Sequence, residues 1–310
     1  MPVETFELIV FSHVVKHSNF ARAAEELALT PSGVSRIVSR LEHRLGARLL
    51  QRTTRKLALT EAGALFYARA MQILSDLADA EAEVSASTVR PRGTLRMSAP
   101  IAFGRLHIAP LLGRMLRQFP ELGIDLTLTD RFVDLVEQGV DLAVRIGALP
   151  DSSLVARRLC ANRRILVASQ EYLARRGTPE NVRDLATHEC LLFTAQSRSR
   201  DWRLIGPGGP ARVVANGRLC SDNAEVLIQA AREGCGIARG STYVVAPALL
   251  AGDLVRVLAP YEFEPTAIYI VYPSARQLSR KVRTVADALA RAFEGPPIWD
   301  RSISGRVVDS

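Results

Sequence analysis

Ser32, Ser35, Arg36, Ser39, Arg40, His43 and Arg44 fall on one side of a single helical stretch. They supply hydrogen-bond donors and small side chains and include no carboxylate. Base edges in a DNA major groove present acceptors such as guanine O6 and N7, so a face of this kind has the chemistry to read them. Ser32, Ser35, Arg36 and Arg40 are the base-reading candidates. Arg22, Arg52, Arg55 and Lys56 flank them and could hold phosphate, which positions a protein without reading sequence. A solvated amphipathic helix would show the same pattern, so the neighbouring elements have to decide between the two readings.

The spacing predicts a helix over 31–45. Thr30 can cap it, Pro31 suits its first position, and Gly46 is the residue type that closes a helix in the left-handed conformation. Val34, Ile37, Val38, Leu41 and Leu45 form its apolar stripe. A shorter helix over 21–28 precedes it, with Ala23, Ala24 and Leu27 small enough for a close approach. Helix, short turn, helix is the arrangement that places a second helix in a groove. Helix 3–16, with Phe6, Ile9, Val10 and Val14 apolar, should pack under both; Ser18 and Asn19 look like the cap of the next helix and Phe20 its core plug. After Gly46, Leu49, Leu50, Leu57 and Leu59 bracket a turn bearing Arg52, Arg55 and Lys56, a small basic wing. Residues 1–60 hold nine Lys/Arg against five Asp/Glu, a net +4, half of the whole chain's +8. A phosphate-binding end needs that excess.

These pieces together resemble the winged helix-turn-helix of the LysR-type transcriptional regulators. The matching runs are SNFARAAEEL, TPSGVSR, LEHRLGARLLQR and LALTEAG, within residues 6–66. The resemblance extends over residues 3–295, and the runs RTTRKLALTEAG and DRFVDLVEQGVDLAVRIG narrow the relatives without naming a ligand. It implies a protein that binds double-stranded DNA, responds to a small-molecule effector and assembles as a homodimer or homotetramer, with RNA polymerase as a further partner.

The remainder is read in order. Thr60 and Glu61 start a long helix over 61–87, which would span about 40 Å. Leu65, Ala68, Ile73, Leu77, Ala80 and Val84 give it a narrow apolar seam that needs a partner helix; by the resemblance, this is the same helix of a second subunit. STVRPRG at 87–93 breaks the chain. Strands at 94–99, 124–130, 141–147 and 164–169 alternate with helices at 105–118 and 132–138, the pattern of a parallel α/β sheet. Weaker strands follow at 191–194, 202–205 and 212–219, then a helix at 224–233, a short strand near 236–238, a helix ending at Gly252, strands at 254–258 and 267–273, and a helix at 279–293.

The fold class expected is α/β: an N-terminal winged helix-turn-helix over 1–60, a linker and dimerisation helix over 61–90, and a two-lobed effector domain like a periplasmic binding protein over 91–295. Lobe I would take 91–165 and 268–295 and lobe II 166–267, with a tail at 296–310. Ligands in such sheets sit beyond the carboxyl ends of strands, at helix N-termini. That selects Ser98, Pro100, Thr129, Asp130, Arg145 and Gly147 from lobe I, and Phe193, Thr194, Asn223 and Arg239 from lobe II. The resemblance places Ser98 and Thr129 in the effector pocket. Asn223 reads first as a helix cap, and Arg145 could instead pair with Asp141 or Asp130. Arg239–Gly240 departs from the family's Pro-containing turn.

Composition bounds the alternatives. A length of 310 suggests about two domains, and 48% hydrophobic residues suffice for cores. No apolar run approaches a membrane span. MPVETFELIV carries acids where an export signal needs positive charge, so a cytoplasmic location is expected. Cys160, Cys190, Cys220 and Cys235 are scattered, without a CxxC pair, and read as buried reduced thiols; the five histidines form no metal pattern. No cofactor is expected. An enzyme or a plain solute-binding protein on the α/β cleft is the alternative function. No G-x-S-x-G elbow occurs, and GCGIARG at 234–240 follows a helix rather than a strand, unlike a dinucleotide loop. A solute-binding protein would not need the basic N-terminal motif, and a DNA-packaging protein would not need a cleft.

Overall fold

A computed structural model describes residues 3–52, 57–84, 90–131, 134–135, 137–149, 154–195, 200–273 and 279–304. The chain forms two compact units, one built on residues 1–93 and one from Thr94 onward, apart from Glu137–Gly139.

In the first unit, α1 (Thr5–His17), α2 (Phe20–Glu26) and α3 (Pro31–Leu45) pack around Val10, Phe11, Val14, Ala23, Ala24, Val34, Val38 and Leu41, all at most 2% exposed. Burying each of the larger aliphatic side chains stabilises by about 1.5–3 kcal/mol. The caps are local. Asn19 Oδ1 accepts the N–H groups of Ala21 and Arg22, and Thr30 Oγ1 accepts that of Gly33 at 3.1 Å. Gly46 ends α3 at φ +65°, where any side chain would be strained. Two apolar expectations fail, as Phe6 is 48% and Leu45 36% exposed; α1 buries Phe11 beside the expected Val10 and Val14. Phe20 packs on the core as expected.

Strands β1 (Leu50–Arg52) and β2 (Leu57–Leu59) pair antiparallel, Leu50 opposite Leu59. Arg55 and Lys56 lie outside the described residues, as do the Arg52 side chain and residues 85–87. Thr60 caps α4 (Glu61–Val84) by accepting the Gly63 N–H at 2.9 Å. A Cβ on Gly63 would lie 1.9 Å from the Leu49 carbonyl oxygen, so only glycine lets α4 start this close to the wing. Phe66 and Tyr67 of α4 meet Phe11 with centroids 5.7 and 6.2 Å apart.

The second unit opens with β3 (Gly93–Ala99) and a continuous helical stretch: α5 (Ile101–Phe103), a π-helical turn over Gly104–Ile108, and α6 (Ala109–Gln118). β4 (Leu122–Leu128) and β5 (Leu142–Ile146) follow. Of the helix expected at 132–138, none of the described residues is helical: Leu135, Glu137 and Gln138 form turns. β6 (Leu154–Asn162), unanticipated, leads through Arg163 into β7 (Arg164–Ala168), then α7 (Gln170–Arg176) and a 3₁₀ turn over Val182–Ala186. β8 (Cys190–Phe193), β9 (Asp201–Gly206), β10 (Gly209–Val214) and β11 (Cys220–Ser221) precede α8 (Ala224–Arg232). β12 (Ile237–Ser241) leads directly into α9 (Thr242–Ala251), followed by β13 (Val255–Val257), β14 (Glu262–Phe263), β15 (Thr266–Pro273), α10 (Arg280–Ala292) and α11 (Ile298–Ser304).

Two five-stranded sheets form two lobes, ordered β4-β3-β5-β15-β6 and β11-β8-β12-β7-β13, with a smaller β10-β9-β14 sheet. The chain crosses between lobes at Arg163 and again between Phe263 and Thr266. Both large sheets are mixed rather than parallel. β3 and β5 run parallel, but β15, returning from the second lobe, enters antiparallel between β5 and β6. In the second sheet β8 runs parallel to β11 and β12, while β7 is antiparallel to β12 and β13.

The expected tail also gives way. Despite Pro296 and Pro297, α11 forms, and Trp299 is 5% exposed among Phe103, His107, Tyr243 and Phe293. Two apolar rings within reach outweigh the local proline signal. Residues 305–310 are outside the described set.

Candidate functional site

Two places bring together the residues singled out by sequence. The first is the outer side of α3. Ser32, Arg36, Ser39, Arg40 and His43 are exposed and Ser35 is half-buried. Arg36 and Arg40 form no ion pair among the described residues. Ser32 Oγ lies 3.2 Å from Thr30 Oγ1, so its hydroxyl sits at the positively polarised start of the helix. Arg22 on α2 is exposed.

Arg44 departs from the set. Its Nη2 lies 3.2 Å from Oε1 of Glu7, a carboxylate buried in α1 whose other oxygen accepts the Glu4 N–H. Arg44 therefore ties α3 to α1. Glu42 is also occupied inward: its Oε1 accepts the N–H groups of Leu49 and Leu50 at 2.8 and 3.0 Å, fixing the wing's first strand to the end of α3. With Glu42 engaged, the outer face of α3 presents arginines and hydroxyls and no free carboxylate. Glu26, on α2, is engaged by Lys16 and His17 of α1, which hold its carboxyl down to about 2.

The second place is a cavity of about 100 Å³ between the two lobes of the second unit. Of the residues expected there, Pro100, Thr129, Asp130, Arg145, Gly147, Phe193 and Arg239 line it. Ser98 does not: it is 1% exposed and its Oγ accepts from Arg145 Nη1 at 3.4 Å, so it steadies a lining residue from behind. Nor does Asn223, whose Oδ1 caps α8 by accepting the Glu225 and Val226 N–H groups. Ala224, the first residue of α8, takes that place on the wall. Thr194 lines an adjoining depression shared with Arg131 and Phe193. Asp130 Oδ1 accepts the Ile101 N–H at 3.1 Å and Asp141 Oδ2 accepts the Arg96 N–H at 2.9 Å.

Sequence reasoning missed Arg131, Asn162, Arg164, Ser241, Tyr243 and Thr266 on the wall. Arg164 opens β7, the strand that starts the second lobe, and a strand end beside a lobe crossing was the available signal. Burial pushes the Arg164 guanidinium below its ordinary value. Arg239 is pushed to about 10, by burial first and by the Arg164 charge second. Burial raises the Asp130 carboxyl, with Asp222 and Glu225 adding to the rise. Two ion pairs cross between the lobes near the start of α8: Arg105 with Glu225, and Arg131 with Asp222 at 3.5 Å.

Cys160 and Cys190 are buried as expected, with thiols pushed up to about 12 by desolvation, whereas Cys220 and Cys235 are exposed, contrary to expectation. Among the described residues no His, Cys, Asp and Glu cluster could hold a metal, and no helix is long and apolar enough to cross a membrane.

Comparison with known proteins covers both places. Residues 6–64 match the family model of the bacterial regulatory helix-turn-helix protein, lysR family, and residues 89–294 match the LysR substrate binding domain. The transcriptional regulator CrgA of Neisseria meningitidis is 38% identical over 291 residues, covering 93% of this chain and 97% of that protein. DmlR of Escherichia coli is 37% identical over 288 residues, covering 93% and 94%. The solved structure of CrgA, a LysR-type regulator, aligns at 35% identity and TM-score 0.62 over 95% of this chain and all of that one. Full-length AphB of Vibrio cholerae, a virulence activator, aligns at 28% identity and TM-score 0.60 over 94% and 99%. With a donor-bearing helix on a winged helix-turn-helix, a two-lobed domain enclosing a cavity, and family models matching both, this chain belongs to the LysR family of transcriptional regulators.

Proposed function

We propose that this regulator reads DNA with the outer face of α3 and is controlled by a small molecule in the cavity between its two lobes. Ser32, Ser35, Arg36 and Arg40 contact base edges or the adjacent phosphates, while Arg22, Arg52, Arg55 and Lys56 hold the backbone. The carrying observation is the chemistry of α3: its carboxylate Glu42 and its last arginine, Arg44, are both engaged inward, leaving a cationic, hydroxyl-bearing face exposed. Such a face suits an acceptor-rich groove. By this reading residues 1–60 bind DNA, 61–90 dimerise and 91–295 bind effector, with the second lobe spanning about 166–267.

Dimerisation is supported by α4. Leu65, Ile73 and Leu77 are 63, 52 and 41% exposed and fall within one stripe of the helix. A stripe of that kind is stabilised by a partner helix. Two copies would present two α3 helices to two half-sites, with the affinity gain of a linked pair. The assembly is a dimer or a dimer of dimers, acts in the cytoplasm, and would meet RNA polymerase at the promoter. The pocket residues proposed to meet effector are Pro100, Thr129, Arg145, Phe193 and Arg239, with Ser98 and Asn223 holding the wall. An effector acts only by binding one lobe or subunit arrangement more tightly than another.

Fluorescence anisotropy on duplexes from the gene's own upstream region and on a shuffled control, each at two salt concentrations, tests the reading. Binding to the upstream duplex should survive the higher salt while the control's is lost, since non-specific binding is largely phosphate contact. No binding to either duplex at low salt would contradict it.

A further inference from the structure

Among the described residues, four guanidinium groups, those of Arg131, Arg145, Arg164 and Arg239, line the cavity between the lobes, against a single carboxylate, Asp130. That carboxylate already accepts the Ile101 N–H. Arg145 donates to Ser98 Oγ, Arg131 reaches Asp222, and Arg164 Nη2 donates to the Glu264 carbonyl at 2.7 Å. Arg239 differs. Among the described residues it has no hydrogen-bond acceptor and no ion pair; its contact is with the Phe263 ring, 5.3 Å from the centroid, which Arg164 also approaches at 5.8 Å. Its charged neighbour is therefore another cation. A guanidinium cannot shed its proton to escape that repulsion, and an unpaired charge out of water is costly.

We infer that the cavity takes a small organic carboxylate, its anionic group received by Arg239 and Arg164 and its carbon skeleton lying against Pro100, Ile146 and Phe193. The inference rests on the proposal that this cavity is the effector site, and it names the ligand class. A carboxylate matches the planar fork of a guanidinium, which can donate two parallel N–H bonds to it. The cavity, of about 100 Å³, is of a size for a small molecule. Helix α9 adds to the cradle. It begins at the wall with Ser241 as its cap residue; the Thr242 N–H already goes to the Arg163 carbonyl at 2.9 Å, and the Ser241 side chain caps none of the other N–H groups of the first turn. Those N–H groups carry the positive end of the helix dipole.

The test uses the full-length protein and its thermal unfolding. Sodium acetate, succinate and citrate are titrated against sodium chloride at matched ionic strength, with succinamide as a neutral counterpart and sodium phosphate as an inorganic anion. A ligand that binds the folded state raises Tm in a saturable way. At least one of the three carboxylates should do so beyond chloride, succinamide should not, and Arg239→Gln should raise the half-saturating concentration by about tenfold or more. Arg164→Gln, at a second position, should weaken it in the same direction. A flat response to all three carboxylates, a response to phosphate alone, or equal binding by Arg239→Gln that melts as a folded protein would each overturn the inference. DNA anisotropy run in parallel separates this from the parent proposal. Carboxylate binding that Arg239→Gln abolishes but that leaves DNA affinity unmoved would keep the ligand class and remove the regulatory role. A DNA response to succinamide without carboxylate binding would do the reverse.

Discussion

The Glu26 carboxylate receives Lys16 Nζ at 3.0 Å and faces the His17 ring, and these partners hold it at about 2 instead of its ordinary 4.5. Between those two values the unfolded chain binds more protons than the folded one. Its contribution to stability is therefore complete above pH 4.5 and is lost as pH falls toward 2. Carboxyl titration by NMR should place the Glu26 midpoint near 2; a midpoint at 4.5 would mean that Lys16 and His17 do not hold it in solution. The nearby cations differ in kind. Arg36 is exposed with no ion pair, whereas Arg44 is spent on Glu7. That division was invisible in sequence, because the two arginines share a helical face and Glu7 lies 37 positions earlier. The cysteines show the same limit: scattered spacing predicted four buried thiols, yet Cys220, on the edge strand β11, and Cys235, after the end of α8, are exposed.

At the scale of elements, α3 was legible to the residue because its boundaries are local chemistry: a Thr30 cap, a first-position Pro31 and a left-handed Gly46. Its docking is not local. Glu7 and Arg44 join α1 to α3 with little exposure, so Arg44→Ala leaves a buried carboxylate without its cation. Denaturant unfolding of the variant should show a loss of about 3 kcal/mol; a loss below 1 kcal/mol would mark the pair as incidental. On α4, Ile73→Asp places a charge in the exposed stripe of Leu65, Ile73 and Leu77. Sedimentation velocity should show a shift from dimer toward monomer with helix content kept, and an unchanged dimer would assign association elsewhere. The elements misread were those fixed by distant partners. β6 carries Arg157 and Arg158 and lacks a clean alternation, but pairing along β15 makes it a strand. α11 follows two prolines, and Trp299 finds its place only because α9 and the α5 stretch bring Tyr243, Phe103 and His107 together.

For the whole molecule, the two-unit plan followed from charge and from the order of elements. Half of the net charge lies in the first sixty residues, and the α/β alternation begins only after the break at 87–93. The cleft was legible where strand ends define it, at Pro100, Thr129, Arg145, Phe193 and Arg239. It was not legible where a lobe crossing or a helix start supplies the wall, as at Arg164 and Tyr243. Arg105–Glu225 and Arg131–Asp222 tie the first lobe to the start of α8, so a ligand that altered that end of the helix would act on contacts between lobes. In the proposed function, α3 reads sequence. The most direct measurement is the ratio of affinities for a selected genomic site and for random duplex, determined for the wild type, Arg36→Ala and Arg22→Ala at one salt concentration. Arg36→Ala should lower specific binding by about 1–3 kcal/mol and shrink the ratio, while Arg22→Ala weakens both duplexes alike and leaves the ratio intact. Equal loss on both duplexes for Arg36→Ala would reduce it to a phosphate contact and contradict the account of α3 as the reading helix.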